Sequence, residues 1–356
     1  MINNNKYKFF ILMIILQVML LFSVSNLVLA QESGDSIGVG AFLNLPVGTR
    51  AIAMGGAFTS IADDPSTIFY NPAGLVSLDF PYLSFNAGTK FYGYYLGHLS
   101  FVLPPGEEGL FGLGFGVKGL SYLDKLYSYD AGGNPINGNG SNIDNYMLSP
   151  YISIGIRQSL VDAGGGIGFS LKGILSNIDG IKGHGVGLDF GVLSNLAAFG
   201  FGICLQDIIT IIKYDNRDYI EFVAPKAIIS LSYKNIDLED NRANLAISVE
   251  IKKPLLNDNY SILIGGFFRI WKYKKSPENS NNEIDIDDII DNIEEDEKNK
   301  KFGTNLYILA GYDFNALSLG LSFTFEPINL KLDLATQFPT EQGEYFSLFT
   351  TLEFHF

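Results

Sequence analysis

The chain has 356 residues, 47% of them apolar and only 17% charged, with 28 Phe and 19 Tyr. Its formal charge of −14 argues against a nucleic-acid partner, whose phosphates call for a basic face. The single cysteine, Cys204, excludes an intrachain disulfide framework and a cysteine-rich metal site, and reads as a small apolar wall residue.

Residues 1–30 have the form of an export signal. Lys6 and Lys8 give a positive start, Phe9 to Phe22 an apolar run broken only by Gln17, and Val28-Leu29-Ala30 a small-residue cleavage site before Gln31. The run is shorter than the roughly 20 residues a spanning helix needs. Loss of the two lysines makes the exported chain more acidic still. No later apolar run is long enough to span as a helix, so a membrane-embedded form must be a closed barrel.

Strand-like stretches recur from Tyr82 onward, at 82–88, 94–102, 110–121, 145–156, 164–177, 183–193, 196–206, 222–233, 243–252, 258–271, 304–312, 316–325, 327–336 and 344–356. Fourteen is an even number, as in bacterial single-chain barrels, and many stretches approach the 9–11 residues of a tilted spanning strand. The clearest alternate with period 2. Leu245, Ile247, Val249 and Ile251 oppose Ala246, Ser248, Glu250 and Lys252. Leu317, Leu319, Leu321, Phe323 and Phe325 oppose Ser318, Gly320, Ser322 and Thr324; Leu330, Leu332 and Leu334 oppose Lys331, Asp333 and Ala335. A soluble sandwich would also alternate, so length, number and the export signal decide between the two. At the C-terminus Leu348, Leu352, Phe354 and Phe356 share a face, an ending like the signal read by barrel-assembly machinery.

Two connections stand out. Residues 122–144 hold a turn-rich polar stretch from Asp130 to Gly140. Residues 272–303 turn strongly acidic from Asp285 to Glu297, with Ile286, Ile289, Ile290 and Ile293 at helical spacing. With both termini in the periplasm, this insert between the tenth and eleventh strands is periplasmic, and it reads as a solvated loop or as a docking element for a periplasmic partner.

Several chemical motifs fail on context. Gly114 to Gly119 matches G-x-G-x-x-G literally but continues a strand, where the fingerprint needs a helix to open. Gly112, Gly114 and Gly116, and likewise Gly183, Gly185, Gly187 and Gly191, instead leave room in a bore. Asp285, Asp287 and Asp288 lack the glycine of a calcium loop, since Ile290 stands in its place. His98, His184 and His355 lie in different strands and no G-x-S-x-G elbow accompanies them, so neither a catalytic residue nor a metal or cofactor site is expected.

Residues 48–75 read as a compact plug. Gly48, Gly55 and Gly56 permit tight backbone, and Ala51, Ala53, Ala57 and Ala62 close packing. Asp63-Asp64-Pro65-Ser66 reads as a turn or cap, and Asn71-Pro72-Ala73-Gly74 as a second turn with Gly74 free to take φ > 0. The rival is a soluble N-terminal subdomain. The run Arg50-Ala51, Met54-Gly55-Gly56-Ala57-Phe58, Ala62-Asp63-Asp64 and Asn71-Pro72-Ala73-Gly74-Leu75 resembles the opening of the FadL/PorV-type outer-membrane barrels, a superfamily of long-chain fatty-acid transporters and relatives. Pro65 and the acidic insert depart from that pattern.

The resemblance implies an all-β fold: a transmembrane barrel of about fourteen strands (82–356) with an N-terminal hatch (31–81) in its lumen, in the outer membrane of a diderm bacterium. Gly55, Gly56, Asp63, Asp64, Asn71, Pro72, Ala73 and Gly74 would form the gating segment. It also implies non-catalytic passage of a fatty-acid-like hydrophobic ligand, with lateral release into outer-membrane lipid. Lys118, Arg157, Lys172 and Arg269 are the residues considered for its carboxylate. The alternatives are a PorV-like interaction partner that shuttles or anchors exported proteins, and a general aqueous porin.

Overall fold

A computed structural model describes residues 40–90, 94–106, 108–122, 125–126, 141–142, 145–158, 164–178, 180–236, 243–256, 260–274, 303–313, 316–325, 328–339 and 347–356. Residues 1–30, expected to be an export signal, residues 31–39, most of the 122–144 connection and the acidic run of the insert lie outside the described residues.

Fourteen antiparallel strands form a closed ring: β1 (Tyr82–Lys90), β2 (Tyr94–Leu103), β3 (Phe111–Tyr122), β4 (Asn145–Arg157), β5 (Gly164–Ile178), β6 (Ile181–Leu196), β7 (Phe199–Tyr214), β8 (Lys226–Ile236), β9 (Ala243–Pro254), β10 (Ser261–Lys274), β11 (Gly303–Asp313), β12 (Ala316–Phe325), β13 (Leu330–Pro339) and β14 (Ser347–His355). Each pairs with its neighbour in sequence, and β14 closes on β1 through Phe85↔Leu352 and Asn86↔Thr351. Closure leaves no strand edge unpaired, which is what allows a sheet to stand in lipid.

The expected fourteen strands are all present, with some moved ends. The stretch expected at 196–206 continues to Tyr214, because β7 passes through a bulge opposite Asp189 where sequence alternation lapses. The stretch expected to start at 222 starts at Lys226; Ile220–Phe222 folds back onto β7 instead.

Outward positions carry large exposed apolar side chains, for example Ile247, Val249 and Ile251 on β9 and Leu317, Leu319 and Leu321 on β12. The intervening Ala246, Ser248, Glu250, Ser318 and Ser322 are buried toward the axis. So extensive an apolar exterior is a lipid-facing surface. Phe111, Phe199 and Phe354 face outward at the end where Phe356 N–H donates to Pro81 O (the near end), and Tyr95, Tyr146 and Tyr312 at the other (the far end). These are the interfacial girdles of a spanning barrel. No described helix is long and apolar enough to cross a membrane.

Pro150 sits within β4, where it cannot donate to the ladder. Ser149 repairs the loss: its hydroxyl donates to Gly173 O across the strand at 2.7 Å.

Candidate functional site: the occupied bore

Residues 40–78 lie inside the ring, and the chain leaves it at the near rim through Asp79, Phe80 and Pro81. Ile52, Met54, Phe58, Ile61, Ile68 and Leu75 are fully buried there and pack with inward-facing Phe267, Leu309 and Phe349 of the wall. Hydrogen bonds hold the segment to strands on every side. Thr49 N–H donates to Thr351 Oγ1 (3.0 Å) and Asn86 Nδ2 to Thr49 Oγ1 (2.9 Å). Thr59 N–H donates to Glu250 Oε2 at 3.0 Å, and Ser60 Oγ lies 2.7 Å from Ser230 Oγ. Gln206 Nε2 donates to Phe69 O at 3.1 Å.

The local conformation follows from the residues noted in the sequence. Gly55 and Gly56 take φ of 63° and 81°, a left-handed turn that L side chains resist, directly against the wall at Tyr312. Asp64 Oδ1 accepts from Ser66 N–H (2.8 Å) and Ser66 Oγ (2.5 Å), forming the turn before the short helix Thr67–Tyr70. Asn71 does three things at once. Its Oδ1 accepts from Ala73 N–H at 3.2 Å, capping the 3₁₀ helix Pro72–Ser77, while its Nδ2 donates to Thr59 O at 2.9 Å and to Val192 O of the wall at 3.1 Å. Pro72 at the first helical position needs no N–H partner. Gly74 differs from expectation: its φ is not positive, and it is there for space, since a Cβ would stand 2.1 Å from Thr67 Oγ1 and 2.3 Å from Ala62 O.

The wall glycines divide into two groups. Gly112, Gly114 and Gly116 are filled by Leu75, Ile68 and Phe69, and Gly191 by Asn71 and Pro72. Gly183, Gly185 and Gly187, read from sequence in the same way, meet side chains of their own wall instead: Tyr214, Ile212 and Thr210. The shortage of bulk there serves β6–β7 packing.

Two ionic clusters flank the plug. Toward the near end, Arg50 bonds Asp63, lies 3.6 Å from Asp64, and stacks 4.8 Å from the Phe267 ring centroid. Lys234 of β8 reaches Asp63 at 3.4 Å, and Lys331 reaches Glu353 at 3.0 Å and Asp333 at 3.3 Å. Burial works against the charge on Asp63, but the Arg50 and Lys234 cations outweigh it and hold the carboxyl well below the usual range. Burial likewise works against the Arg50 charge and is outweighed by Asp63 and Asp64, which keep the guanidinium charged. This cluster lines a cavity of about 850 Å³ that includes Phe80, Arg157 and His355.

Deeper in the bore, Lys172 bridges Asp189 (2.7 Å) and Asp207 (2.5 Å), and Lys226 joins Asp207 at 2.8 Å. Asp207 occupies the bulge with φ 58°, and its N–H, displaced from the ladder, donates to Asp189 Oδ1 at 2.7 Å. Lys118 donates to Leu43 O at 2.5 Å, and both Lys118 and Lys172 lie about 6 Å from the Tyr151 ring (6.0 and 5.8 Å). Lys226 also bonds Asn44. Beside these lysines Phe42 and Leu43 pack on Ile174, Ile212 and Val223, an apolar patch within the lumen.

Of the four residues considered for a ligand carboxylate, Lys118 and Lys172 therefore meet. Arg157 lies at the near rim, donating to Gly106 O at 2.8 Å, and Arg269 is bound into another part of the wall by Asn244, 2.8 Å from its Nε. His98 faces the bore, His184 faces outward and His355 stands at the near rim. Cys204 is buried in the wall. Asp189, Asp207, Lys226, Lys234 and Glu250 were not singled out from sequence. Except for Asp207, which sits in the bulge where alternation lapses, their signal was available as charge on the lumen face of a period-2 strand, but which charges meet depends on cross-strand register.

Asp207 is the keystone of the inner cluster. Asp207→Asn retains a residue that tolerates positive φ while leaving Lys172 and Lys226 short of a counter-charge. Breaking such a buried pair costs about 3–5 kcal/mol. Urea unfolding of the lipid-reconstituted barrel should show that loss; a cost below ~1 kcal/mol would mean the lysines are solvated in the folded protein.

No protein-family model and no curated protein matches the chain. Among solved structures, the chain is similar to a TodX deltaS2S3 mutant monoaromatic hydrocarbon channel (12% identity, 87% of this chain and 99% of that one, TM-score 0.48). It is also similar to the Pseudomonas putida toluene transporter TodX (11%, 86% and 96%, TM-score 0.48) and to the KdgM porin (9%, 77% and 99%, TM-score 0.31). This chain is a closed transmembrane β-barrel. Its strand number is the one the FadL/PorV resemblance implies, and a bacterial barrel of this build belongs to the outer membrane.

Proposed function

We propose that the protein carries hydrophobic small molecules across the outer membrane, with long-chain fatty acids or similar amphiphiles as cargo and residues 40–81 as the gate. The reading is non-catalytic. The observation that carries it is the filled bore: apolar side chains of the N-terminal segment occupy the place where a general porin would hold water. The luminal patch of Ile174, Ile212 and Val223 beside Lys118 supports an amphiphilic cargo. Each CH₂ removed from water contributes about 0.8 kcal/mol, and an ammonium can hold a carboxylate by charge-assisted hydrogen bonds.

The charged near-end cavity favours a second reading, a PorV-like protein that receives exported partners. Radiolabelled oleate uptake into liposomes containing the purified barrel separates the two. Uptake well above empty liposomes is expected, and Lys118→Met should weaken oleate binding about tenfold, the worth of one charge-assisted hydrogen bond. Uptake no faster than in empty liposomes would put the partner-binding reading ahead.

A further inference from the structure

The outer wall of β5–β7 changes character at its far end. Ile152, Leu171, Leu188 and Ile209 form one exposed cross-strand row on the lipid face. Two rows further on, the register places Leu175 beside His184 and His184 directly opposite Lys213, with Lys182 next along the same face of β6. All three basic residues point outward and are exposed. Side chains directly opposite on one face stand about 5 Å apart at Cβ, so His184 and Lys213 can grip one anion together.

Their height is set by the strand. Outward positions of β6 run Val192, Phe190, Leu188, Val186, His184, Lys182. A tilted strand gains about 2.5 Å of height per residue, so Lys182 stands about 25 Å above Val192, the full height of a barrel's apolar band. The basic group thus begins where hydrocarbon ends. Among the described residues neither Lys182 nor Lys213 has a carboxylate partner. Lys213 Nζ donates to Arg217 O, and Glu221 is engaged by Arg217. Asp215 and Asp218 are the remaining acids of the adjoining turn.

We propose that Lys182, His184 and Lys213 form a binding site on the outer wall for the phosphates of an outer-leaflet glycolipid, lipid A of lipopolysaccharide, with its acyl chains lying on Val186, Leu188 and Ile209 below. With the barrel termini on the periplasmic side, the far end faces the outer leaflet. Acyl chains continue the lipid-facing belt, and phosphate complements the only change from apolar to basic along these three strands.

The test uses the full-length barrel in phosphatidylcholine nanodiscs doped with lipid A, with bound lipid counted by native mass spectrometry. Wild type should retain lipid A. The variant Lys182→Gln, His184→Gln, Lys213→Gln should retain it about thirtyfold less, the effect of removing two lysines from beside the headgroups. Lys253→Gln, an outward lysine of β9, should behave as wild type, and Lys182→Arg with Lys213→Arg should retain the lipid. Unchanged heat-modifiable mobility verifies that each variant is folded. Equal retention by wild type and the triple variant overturns the proposal, as does loss in Lys253→Gln. Phosphatidylglycerol competing as well as lipid A would show a basic collar without headgroup choice. Displacement by millimolar inorganic phosphate would show a free-phosphate site. Either result would overturn the assignment to lipid A.

Discussion

Deletion of residues 48–75 should convert a closed barrel into a conducting one. Those residues supply the side chains that fill the bore between β3–β7 on one side and β10–β13 on the other: Leu75 and Ile68 against β3, Met54 against Gly265 and Gly311, and Ala53 against Gly320. The wall does not need them for its own ladder, because every strand is paired with two others around the ring. What remains after deletion is a lumen lined by Ser84, Asn86, Ser230, Ser248, Glu250 and Thr351, all of which water can satisfy. Single-channel current to small ions in planar bilayers should rise about tenfold or more over the intact protein, as wide polar barrels without a plug hold water. An intact protein that already conducts steadily, or a deletion that leaves the current unchanged, would mean that residues 48–75 do not close the bore.

The second large effect is expected from single methyl groups. Gly311 lies against the left-handed turn of the plug, where a Cβ would be 2.0 Å from Gly55 N, and at Gly168 one would be 2.3 Å from Ala73 N. In both cases the obstacle is backbone, which cannot rotate aside as a side chain can. Overpacking of this kind costs about 1–3 kcal/mol at each site. The contacts at stake lie between wall and plug, so the Gly168→Ala, Gly311→Ala protein should keep a folded barrel while its plug loosens. Limited proteolysis within residues 48–75 should then accelerate by about tenfold or more, the kinetic counterpart of a few kcal/mol. Gly164→Ala meets open space and serves as the silent control. Proteolysis at the wild-type rate in the double variant would show that the plug does not seat on these glycines.

How much of this was legible beforehand varies with the range of the interaction. The strands were, because burial on one face writes period 2 into the sequence: Leu317 to Phe325 could be assigned its lipid and lumen faces residue by residue. The turn of Gly55 and Gly56 and the cap by Asn71 were also within reach, since both rest on partners a few residues away. Gly74 shows where that reasoning overreached. A glycine after Asn-Pro-Ala suggests positive φ, but the position is held by the proximity of Thr67 and Ala62, which local chemistry does not reveal. Likewise the seventh strand was expected to end at Gln206, where the alternation lapses. In the structure Asp189, seventeen residues from Lys172, supplies the acceptor that lets β7 continue through a bulge.

By itself, then, the amino-acid order determined a fourteen-stranded barrel and the residues of its internal turns, since alternation and turn chemistry depend on neighbours along the chain. Only the closed tertiary structure decided that Lys118 and Lys172 share Tyr151 while Arg157 and Arg269 stand apart, that Asp63 is gripped by Arg50 and Lys234, and that Lys182, His184 and Lys213 gather on the lipid face. The reason is geometric. In a barrel, which side chains meet is set by the register between strands and by what fills the lumen, and neither quantity is written in the period of any one strand.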